Sequence, residues 1–238
     1  MKKLIVAISI LVLSIPTLSS QTVDEIVTKH LNAIGGMAKL HEVKSVQMES
    51  SVKIQALDIE NVTSILLGKA LKSESKIMGN SLVQAFDGTT AWEITPIMMG
   101  GSGEPKIMSE EAAKNIFNQI DPFPLLDYAQ KGTKIELLAA EKVDDKDAYH
   151  LKVSPKKGAE SEIWIDVTSG LIAKIKTVQN GQEVEMVFSK HTEIEGVNFA
   201  MKMEISNPMA GVITIETKNV MLNTEIDEQI FQMPNVKK

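Results

Sequence analysis

The sequence predicts a mainly β protein with a helical lid: one curved antiparallel sheet or open barrel of about ten or eleven strands. Segments of alternating polar and apolar residues recur from residue 45 onwards, and turn signals such as Asp87-Gly88 and Asn180-Gly181 separate them. Helical spacing is confined to the start and the middle of the chain. Because no low-complexity linker interrupts this pattern, we expect residues 21–238 to form one domain.

Residues 1–20 have the three regions of a secretory signal peptide: a basic start, an apolar run over residues 4–13 and a small, polar exit. The apolar run is too short for a transmembrane helix. We expect cleavage after Ser19 or Ser20 and export to the periplasm. An uncleaved membrane anchor is the alternative.

The composition excludes several classes of site. The chain has no cysteine, which excludes disulfides, thiolate metal ligands, cysteine nucleophiles and an acylated N-terminal cysteine, so we expect a soluble product. All 25 basic residues are lysine and the net charge is −6. Without arginine there is no bidentate recognition of phosphate or guanine, and nucleic acid is not an expected partner. The 13 methionines indicate an adaptable core.

A helix is predicted over residues 22–40 at the start of the mature chain. Thr22 is a candidate N-cap, followed by two acidic residues in the first turn and apolar residues at helical spacing. Gly35-Gly36 predicts the end of this helix, and a short second turn is expected over residues 37–41.

From Ser45 the apolar residues recur with a period of two. The first strand places five residues on one face: Val46, Met48, Ser50, Val52 and Ile54. The next strands of this half are predicted over residues 57–68, 70–78, 82–86 and 90–95.

The alternation stops over residues 92–128. A loop rich in methionine and glycine, residues 96–105, precedes an amphipathic helix predicted over residues 109–120, with Ser109 as its cap. Its apolar stripe consists of Ala112, Ala113, Ile116, Phe117 and Ile120. An apolar helical insert in a β chain covers a cavity as a lid or fills the mouth of a barrel as a plug, and the sequence leaves both open.

The strands resume after this insert. They are predicted over residues 134–142, 148–153, 161–167, 171–178, 183–190, 197–206 and 211–222, and residues 226–234 close the chain.

Motifs for catalysis or metal binding are missing from the sequence. The four histidines have no metal-ligand spacing, and Gly100–Gly103 fits neither a nucleophile elbow nor a phosphate loop. Asp144, Asp145 and Asp147 lack the glycine and glutamate of a calcium loop and indicate a hairpin tip. We therefore expect no enzyme activity, no cofactor and no metal.

Three stretches carry a family resemblance: TVDEIVTKHLNAIGG at 22–36, VQAFDGTTAWEI at 83–94 and IDEQIFQMP at 226–234. With them the chain resembles the periplasmic outer-membrane lipoprotein-sorting proteins, the LolA/LolB-like carriers. The resemblance implies an unclosed barrel whose helices cover an apolar cavity for the acyl chains of lipoproteins. It also implies an inner-membrane release complex and an outer-membrane receptor as partners, and a monomeric carrier.

One feature departs from that family. Its carriers latch their lid through an arginine inside the barrel, and this chain has none. We therefore expect the lid to close by apolar contact, or the cargo to be another lipid. The alternative is a periplasmic sensor or regulatory interaction module on the same fold, with a barrel filled by its own side chains.

The expected lipid-binding residues form two sets. For the lid and mouth they are Trp92, Ile97, Met98, Met99, Ile107, Met108, Phe117, Ile120, Phe123 and Leu126. For the barrel face, on the assumption that their strand faces are concave, they are Met48, Met186, Phe188, Met201 and Met203.

Overall fold

The computed structural model describes residues 21–179, 181–207 and 211–235. The predicted signal peptide, residues 1–20, and Asn180 of one predicted turn lie outside these residues. Within them, none of the helices has both the length and the apolar character needed to cross a membrane.

Helix α1, Val23–Ala33, is capped as predicted. The Thr22 hydroxyl accepts a hydrogen bond from the Glu25 amide, and the Glu25 carboxylate accepts one of 2.8 Å from the Thr22 amide, which makes a capping box. The Gly36 amide donates to the Leu31 carbonyl at 2.8 Å and ends the helix. Helix α2, Met37–Glu42, follows directly.

Six strands precede the central helix, and the first five lie in predicted strand segments. They are β1 Ser45–Ile54, β2 Leu57–Leu66, β3 Ala70–Ile77, β4 Asn80–Phe86, β5 Ala91–Ile94 and β6 Pro105–Ile107. A 3-10 helix, Ile97–Met99, lies between β5 and β6. Helix α3, Glu110–Gln119, then begins at the predicted cap, where the Ser109 hydroxyl accepts from the Ala112 amide.

Eight further strands and a second 3-10 helix, Glu228–Phe231, complete the described chain. The strands are β7 Lys134–Leu137, β8 Glu141–Val143, β9 Lys146–Ser154, β10 Ser161–Asp166, β11 Ile172–Gln179, β12 Gln182–Ile194, β13 Val197–Asn207 and β14 Gly211–Leu222.

The strands of the described residues form one antiparallel sheet of fourteen, in the order β6-β5-β4-β3-β2-β1-β14-β13-β12-β11-β10-β9-β7, with β8 paired to β9. The two edges, β6 and β7, do not pair with each other, so the barrel is unclosed. These edge strands are consecutive in the chain, and residues 108–133 connect them. The central insert with α3 therefore runs from one edge of the open sheet to the other.

The predicted fold class is confirmed, but the number of strands is higher than the ten or eleven expected. The loop at residues 96–105 contributes to a hairpin, because an edge strand such as β6 tolerates Pro105. The strand predicted over residues 134–142 divides into β7 and β8. The closing segment contains a 3-10 helix where Asp227 caps the Gln229 amide.

Several tight turns follow their sequence signals. Val143 pairs with Lys146, and the two aspartates between them have positive φ, as a two-residue hairpin with a primed turn requires. Ile194 pairs with Val197 around Glu195-Gly196 in the same way.

The apolar core has two main parts on the concave side of the sheet. The larger part packs α1 and the segment 123–126 against the strands at both flanks of the cavity; its fully buried members include Ile26, Leu40, Val46, Leu125, Leu151 and Ile165. The smaller part packs α3 on β2–β5. Met48 touches both parts.

Candidate functional site

The concave side of the sheet holds a cavity of about 1400 Å³ that is partly open to solvent. One wall comes from β1–β3 and β14, the opposite wall from β10–β13, and α3 with the segment 120–124 lies across the top. The apolar residues of the lining include Met48, Phe86, Phe117, Ile120, Phe123, Ile175, Met186, Phe188, Met203, Ile205 and Ile215.

Helix α3 covers this cavity by packing on one half of the sheet. Ala113 and Ile116 are buried against a cluster formed by Ile65, Leu71, Phe86 and Ala91. The Phe117 ring meets the Phe86 ring edge to face, with centroids 5.2 Å apart and an interplanar angle of 85°. The polar residues at the first turn of α3 are exposed, so its buried stripe is the one that the sequence predicts.

The C-terminal end of α3 is tied to both flanks of the cavity by hydrogen bonds. The Asn118 amide group donates to the Ala159 carbonyl, in the β9–β10 loop, at 3.0 Å. The Ile120 carbonyl accepts from the Gly68 amide, in the β2–β3 turn, at 3.0 Å. The expectation of closure by apolar contact alone is therefore wrong: the lid also has polar ties, made by main-chain groups and an asparagine where an arginine is missing.

Charged residues line the rim of the cavity and not its strands. Those that border it lie in turns, loops or the second 3-10 helix, namely Lys69, Asp87, Asp121, Lys131, Lys156, Lys157 and Glu228. Lys131 also pairs with Asp121 just after α3. The interior therefore presents uncharged groups to a bound molecule.

The cavity floor contains two histidines and an asparagine. The buried His30 ring contacts the Gly170 carbonyl through Nδ1 at 2.9 Å. Burial lowers the pKa of His30, and it lowers the pKa of His191 as well. The Asn198 side-chain oxygen is buried and has no hydrogen-bond partner within the described residues. The floor thus offers one acceptor that a ligand or water can satisfy.

No group of three or more histidines and carboxylates in the described residues could hold a metal ion. The expected absence of metal, cofactor and enzyme activity stays a prediction.

Comparisons with known proteins show which solved structures share this fold. A family model with the description "Uncharacterized protein" matches residues 127–238. No curated protein sequence matches the chain. Among solved structures, a LolA superfamily protein from Nitrosomonas europaea superposes with a TM-score of 0.60 at 12% identity, over 90% of this chain and 98% of that chain.

Two further structures agree with it. One is from Vibrio parahaemolyticus and is described as a putative outer membrane lipoprotein-sorting protein domain (TM-score 0.58, 14% identity, 87% of this chain and 94% of that one). The other is a DUF1329 family protein from Desulfovibrio piger (TM-score 0.58, 16% identity, 88% and 97%). The chain has the fold of the LolA superfamily. At these identities the similarity concerns the fold alone.

Within this LolA-like fold, seven of the fifteen expected lipid-binding residues line the cavity. They are Phe117, Ile120 and Phe123 from the lid and mouth, and Met48, Met186, Phe188 and Met203 from the strands. At these four strand positions the side chain lies on the concave face of the sheet, as the sequence analysis assumed. A role of these residues in binding stays a prediction.

Four expected residues lie away from the cavity and are exposed: Ile97, Met98, Met99 and Ile107. They belong to the β5–β6 hairpin at one edge of the sheet, and Ile97 is 74% exposed. The sequence interpretation joined this loop to the lid because the two are adjacent in the chain. The chain folds back at β6 before α3 begins, and this separates the loop from the mouth.

The other four are packed elsewhere. Trp92 lies on the convex side of β5 with Val83 and Ala85, because the register of β5 turns its side chain outward. Met108 packs under α3, and Leu126 and Met201 belong to or pack on the larger core. None of the four appears on the cavity wall.

The sequence interpretation missed a polar part of the wall. Six uncharged polar residues face the cavity from neighbouring strands, and we call them the polar patch: Ser50, Asn61, Thr63, Ser73, Ser75 and Thr217. Their signal was the recurrence of serine, threonine or asparagine with a period of two on the core face of consecutive strands.

Proposed function

We propose that this chain is a periplasmic carrier that binds the acyl chains of a lipoprotein, or of another lipid, and moves them toward the outer membrane. The observation that supports it best is the cavity of about 1400 Å³ under α3. Small-molecule pockets typically enclose roughly 300–1,000 Å³, so this cavity has room for a larger, flexible ligand.

The lining suits long hydrocarbon chains. Methionine and phenylalanine side chains face the cavity from both walls, and flexible thioethers adapt to ligands without a fixed shape. Each buried CH₂ group contributes about 0.8 kcal/mol, so a single long chain supplies enough free energy for retention. A movable lid and incomplete contact lower the net affinity and permit release.

Release requires that α3 move, and its attachment fits such a movement. The helix rests on one half of the sheet through Ala113 and Ile116, and its C-terminal end is held by the apolar contacts of Phe117 and Ile120 and by two hydrogen bonds, of Asn118 and Ile120. Loss of these contacts at one end would open the mouth without unfolding the sheet. A loading partner at the inner membrane and an acceptor at the outer membrane complete the proposed cycle, with the carrier itself a monomer.

The similarity to a domain described for outer membrane lipoprotein sorting supports this cargo class through the shared fold. The alternative, a sensor module that binds a partner protein, predicts a barrel filled by its own side chains. The large open cavity favours the carrier.

The test compares lipid retention in two double variants of the mature protein. Phe117→Ser with Ile120→Ser alters the cavity roof, and Ile97→Ser with Met98→Ser makes the same chemical change on the exposed hairpin. Protein purified from its native host is extracted for mass spectrometry, and uptake of a fluorescent fatty acid is titrated. We expect bound lipid in the wild type, weaker retention in the roof variant and wild-type retention in the hairpin variant. A wild type without lipid and without uptake would disprove the carrier function.

A further inference from the structure

The polar patch is continuous across four strands. Ser50 on β1 pairs in register with Asn61 on β2 and with Thr217 on β14. On β3, Ser73 stands opposite Thr63 and Ser75 stands opposite Asn61. The register therefore gathers six uncharged polar side chains into one area of the cavity wall, beside the apolar Met48 and Leu71.

Hydrogen bonds within the patch use both amide protons of Asn61 but not all of the hydroxyl protons. Asn61 donates through Nδ2 to the Ser73 hydroxyl at 2.9 Å and to the Ser75 hydroxyl at 3.0 Å. Thr63 donates to the Asn61 side-chain oxygen at 3.0 Å, and Ser50 donates to the Thr217 hydroxyl at 3.3 Å.

Each serine or threonine hydroxyl has one proton to donate and two lone pairs with which to accept. The Ser73 and Thr63 hydroxyl oxygens also lie 3.2 Å apart, so the Ser73 hydroxyl can donate to Thr63. Ser75 and Thr217 act as acceptors in the bonds above, and in the part of the chain that the structure describes their hydroxyl protons have no acceptor. Two hydroxyl donors thus remain on a wall that borders the cavity.

The patch carries no charge of its own. The charged residues of β3, Lys72, Glu74 and Lys76, alternate with Ser73 and Ser75 and pair with each other on the opposite face of the sheet. A buried anion requires a countercharge, which this wall does not supply. A neutral ligand group that only accepts hydrogen bonds matches it.

We propose that the polar patch binds the ester or amide carbonyl groups of the bound amphiphile, while its hydrocarbon chains occupy the apolar wall around Phe188 and Met203. This inference rests on the proposed carrier function and narrows its cargo to acyl lipids. Carbonyl oxygens are neutral acceptors, and the two hydroxyl donors satisfy them without desolvating a charge. Alkyl chains without a carbonyl leave both donors unpaired.

The test uses two ligands that differ only in the carbonyl groups. A short-chain diacylglycerol and the dialkylglycerol ether with the same chains are titrated against a fluorescent lipid already bound to the mature protein. We expect the wild type to bind the diacyl ligand about tenfold more tightly, the difference made by one or two net hydrogen bonds.

Variants then assign the preference to the patch. In Ser73→Ala/Ser75→Ala, and separately in Thr217→Val, which leaves the bonds of Asn61 intact, the preference for the diacyl ligand should fall while the dialkyl affinity stays the same. Ser64→Ala removes a hydroxyl from the outer face of β2 and should behave as the wild type. Thermal unfolding of each variant excludes loss of the fold.

The outcomes are distinguishable. Equal affinity of the wild type for both ligands, or a preference unchanged in both patch variants, would overturn the patch as a carbonyl site and leave the carrier intact. Failure of the wild type to bind either ligand would overturn the carrier function itself.

Discussion

The indole Nε1 of Trp92 donates a hydrogen bond of 2.8 Å to the main-chain carbonyl oxygen of Phe231, 139 residues further along the chain. Trp92 is 1% exposed, and Phe231 is buried as well. This bond fixes the 3-10 helix Glu228–Phe231 to the sheet beside β3. Trp92 therefore attaches the C-terminal segment to the sheet, whereas the sequence suggested a lipid contact.

The substitution Trp92→Phe tests this role. It removes the indole donor, leaves the Phe231 carbonyl without a partner and should lower the free energy of unfolding by about 1–3 kcal/mol. Amides of residues 228–231 should exchange hydrogen faster, while lipid uptake stays unchanged, because Trp92 does not border the cavity. Denaturant unfolding and native-state hydrogen exchange measure these effects.

The matched control is Trp164→Phe. Trp164 donates at 3.0 Å to the carboxylate of Glu141, whose side chain is half exposed, so water can replace the lost donor. A smaller loss of stability is expected there. Equal losses at both positions would contradict the special role of the Trp92 bond.

Gly35 shows how a helix stop also fixes tertiary packing. It has a φ of +131°, and a Cβ atom there would lie 2.5 Å from the carbonyl oxygen of Gly196, in the β12–β13 turn. We expect Gly35→Ala to destabilise the protein by at least about 3 kcal/mol, because backbone strain adds to a clash with main-chain atoms.

Gly36→Ala separates the two contributions. Gly36 also has a positive φ, +84°, but its Cβ would meet nothing within 4 Å. This variant should lose about 1–3 kcal/mol, the cost of a backbone conformation (φ 84°, ψ 151°) that is essentially restricted to glycine. Thermal unfolding of both variants compares their losses of stability. Equal losses would show that the main chain at Gly196 moves to accommodate the Cβ atom without a cost in free energy.

The ties of α3 predict how fast the lid opens. Asn118→Ala removes the bond to the Ala159 carbonyl without harming helix propensity, since alanine favours helices. Loss of one net hydrogen bond should speed hydrogen exchange in α3 and the release of a bound fluorescent lipid by about fivefold. Gln119→Ala is the control, because among the described residues the Gln119 side chain donates to the Asn115 carbonyl of the same helix and not to a flank of the cavity. Equal rates in the two variants would argue against Asn118 as a tie.

How far the sequence reveals this architecture depends on whether a feature is local. The Thr22 cap, the Ser109 cap and the Glu195-Gly196 turn follow from residues within a few positions of one another, and the sequence predicted all three. Periodicity also grouped Met48 and Ser50 on one face of β1, and the structure turns that face toward the cavity. Each of these rests on short-range chemistry.

The errors concern relations between distant strands. The β5 register turns Trp92 outward, and the fold-back at β6 removes Ile97 from the mouth; both depend on pairing that short sequence patterns do not encode. The polar patch arises likewise, because Ser50 meets Thr217 only through the pairing of β1 with β14. A site assembled from four strands has no contiguous motif.

The two histidines at the cavity floor make stability depend on pH. His30 is almost fully buried and His191 is half-buried, and burial lowers the pKa of both below the usual value of about 6.5. Each therefore binds a proton more weakly in the folded than in the unfolded state. Their contribution to stability is complete above pH of about 6.5 and declines as the pH falls below it.

The variant His30→Asn isolates this effect. Asparagine keeps a donor for the Gly170 carbonyl but does not titrate, so the wild type should lose about 1 kcal/mol more than the variant between pH of about 7.5 and about 5.5. Denaturant unfolding of both proteins at both pH values gives the difference, from which titrating groups common to the two proteins cancel. If the variant were as sensitive to acid as the wild type, His30 would bind a proton equally well in the folded and in the unfolded state. The same titration with lipid bound tests coupling to the cargo: a ligand that fills the floor and keeps His191 dry should deepen the loss at acid pH.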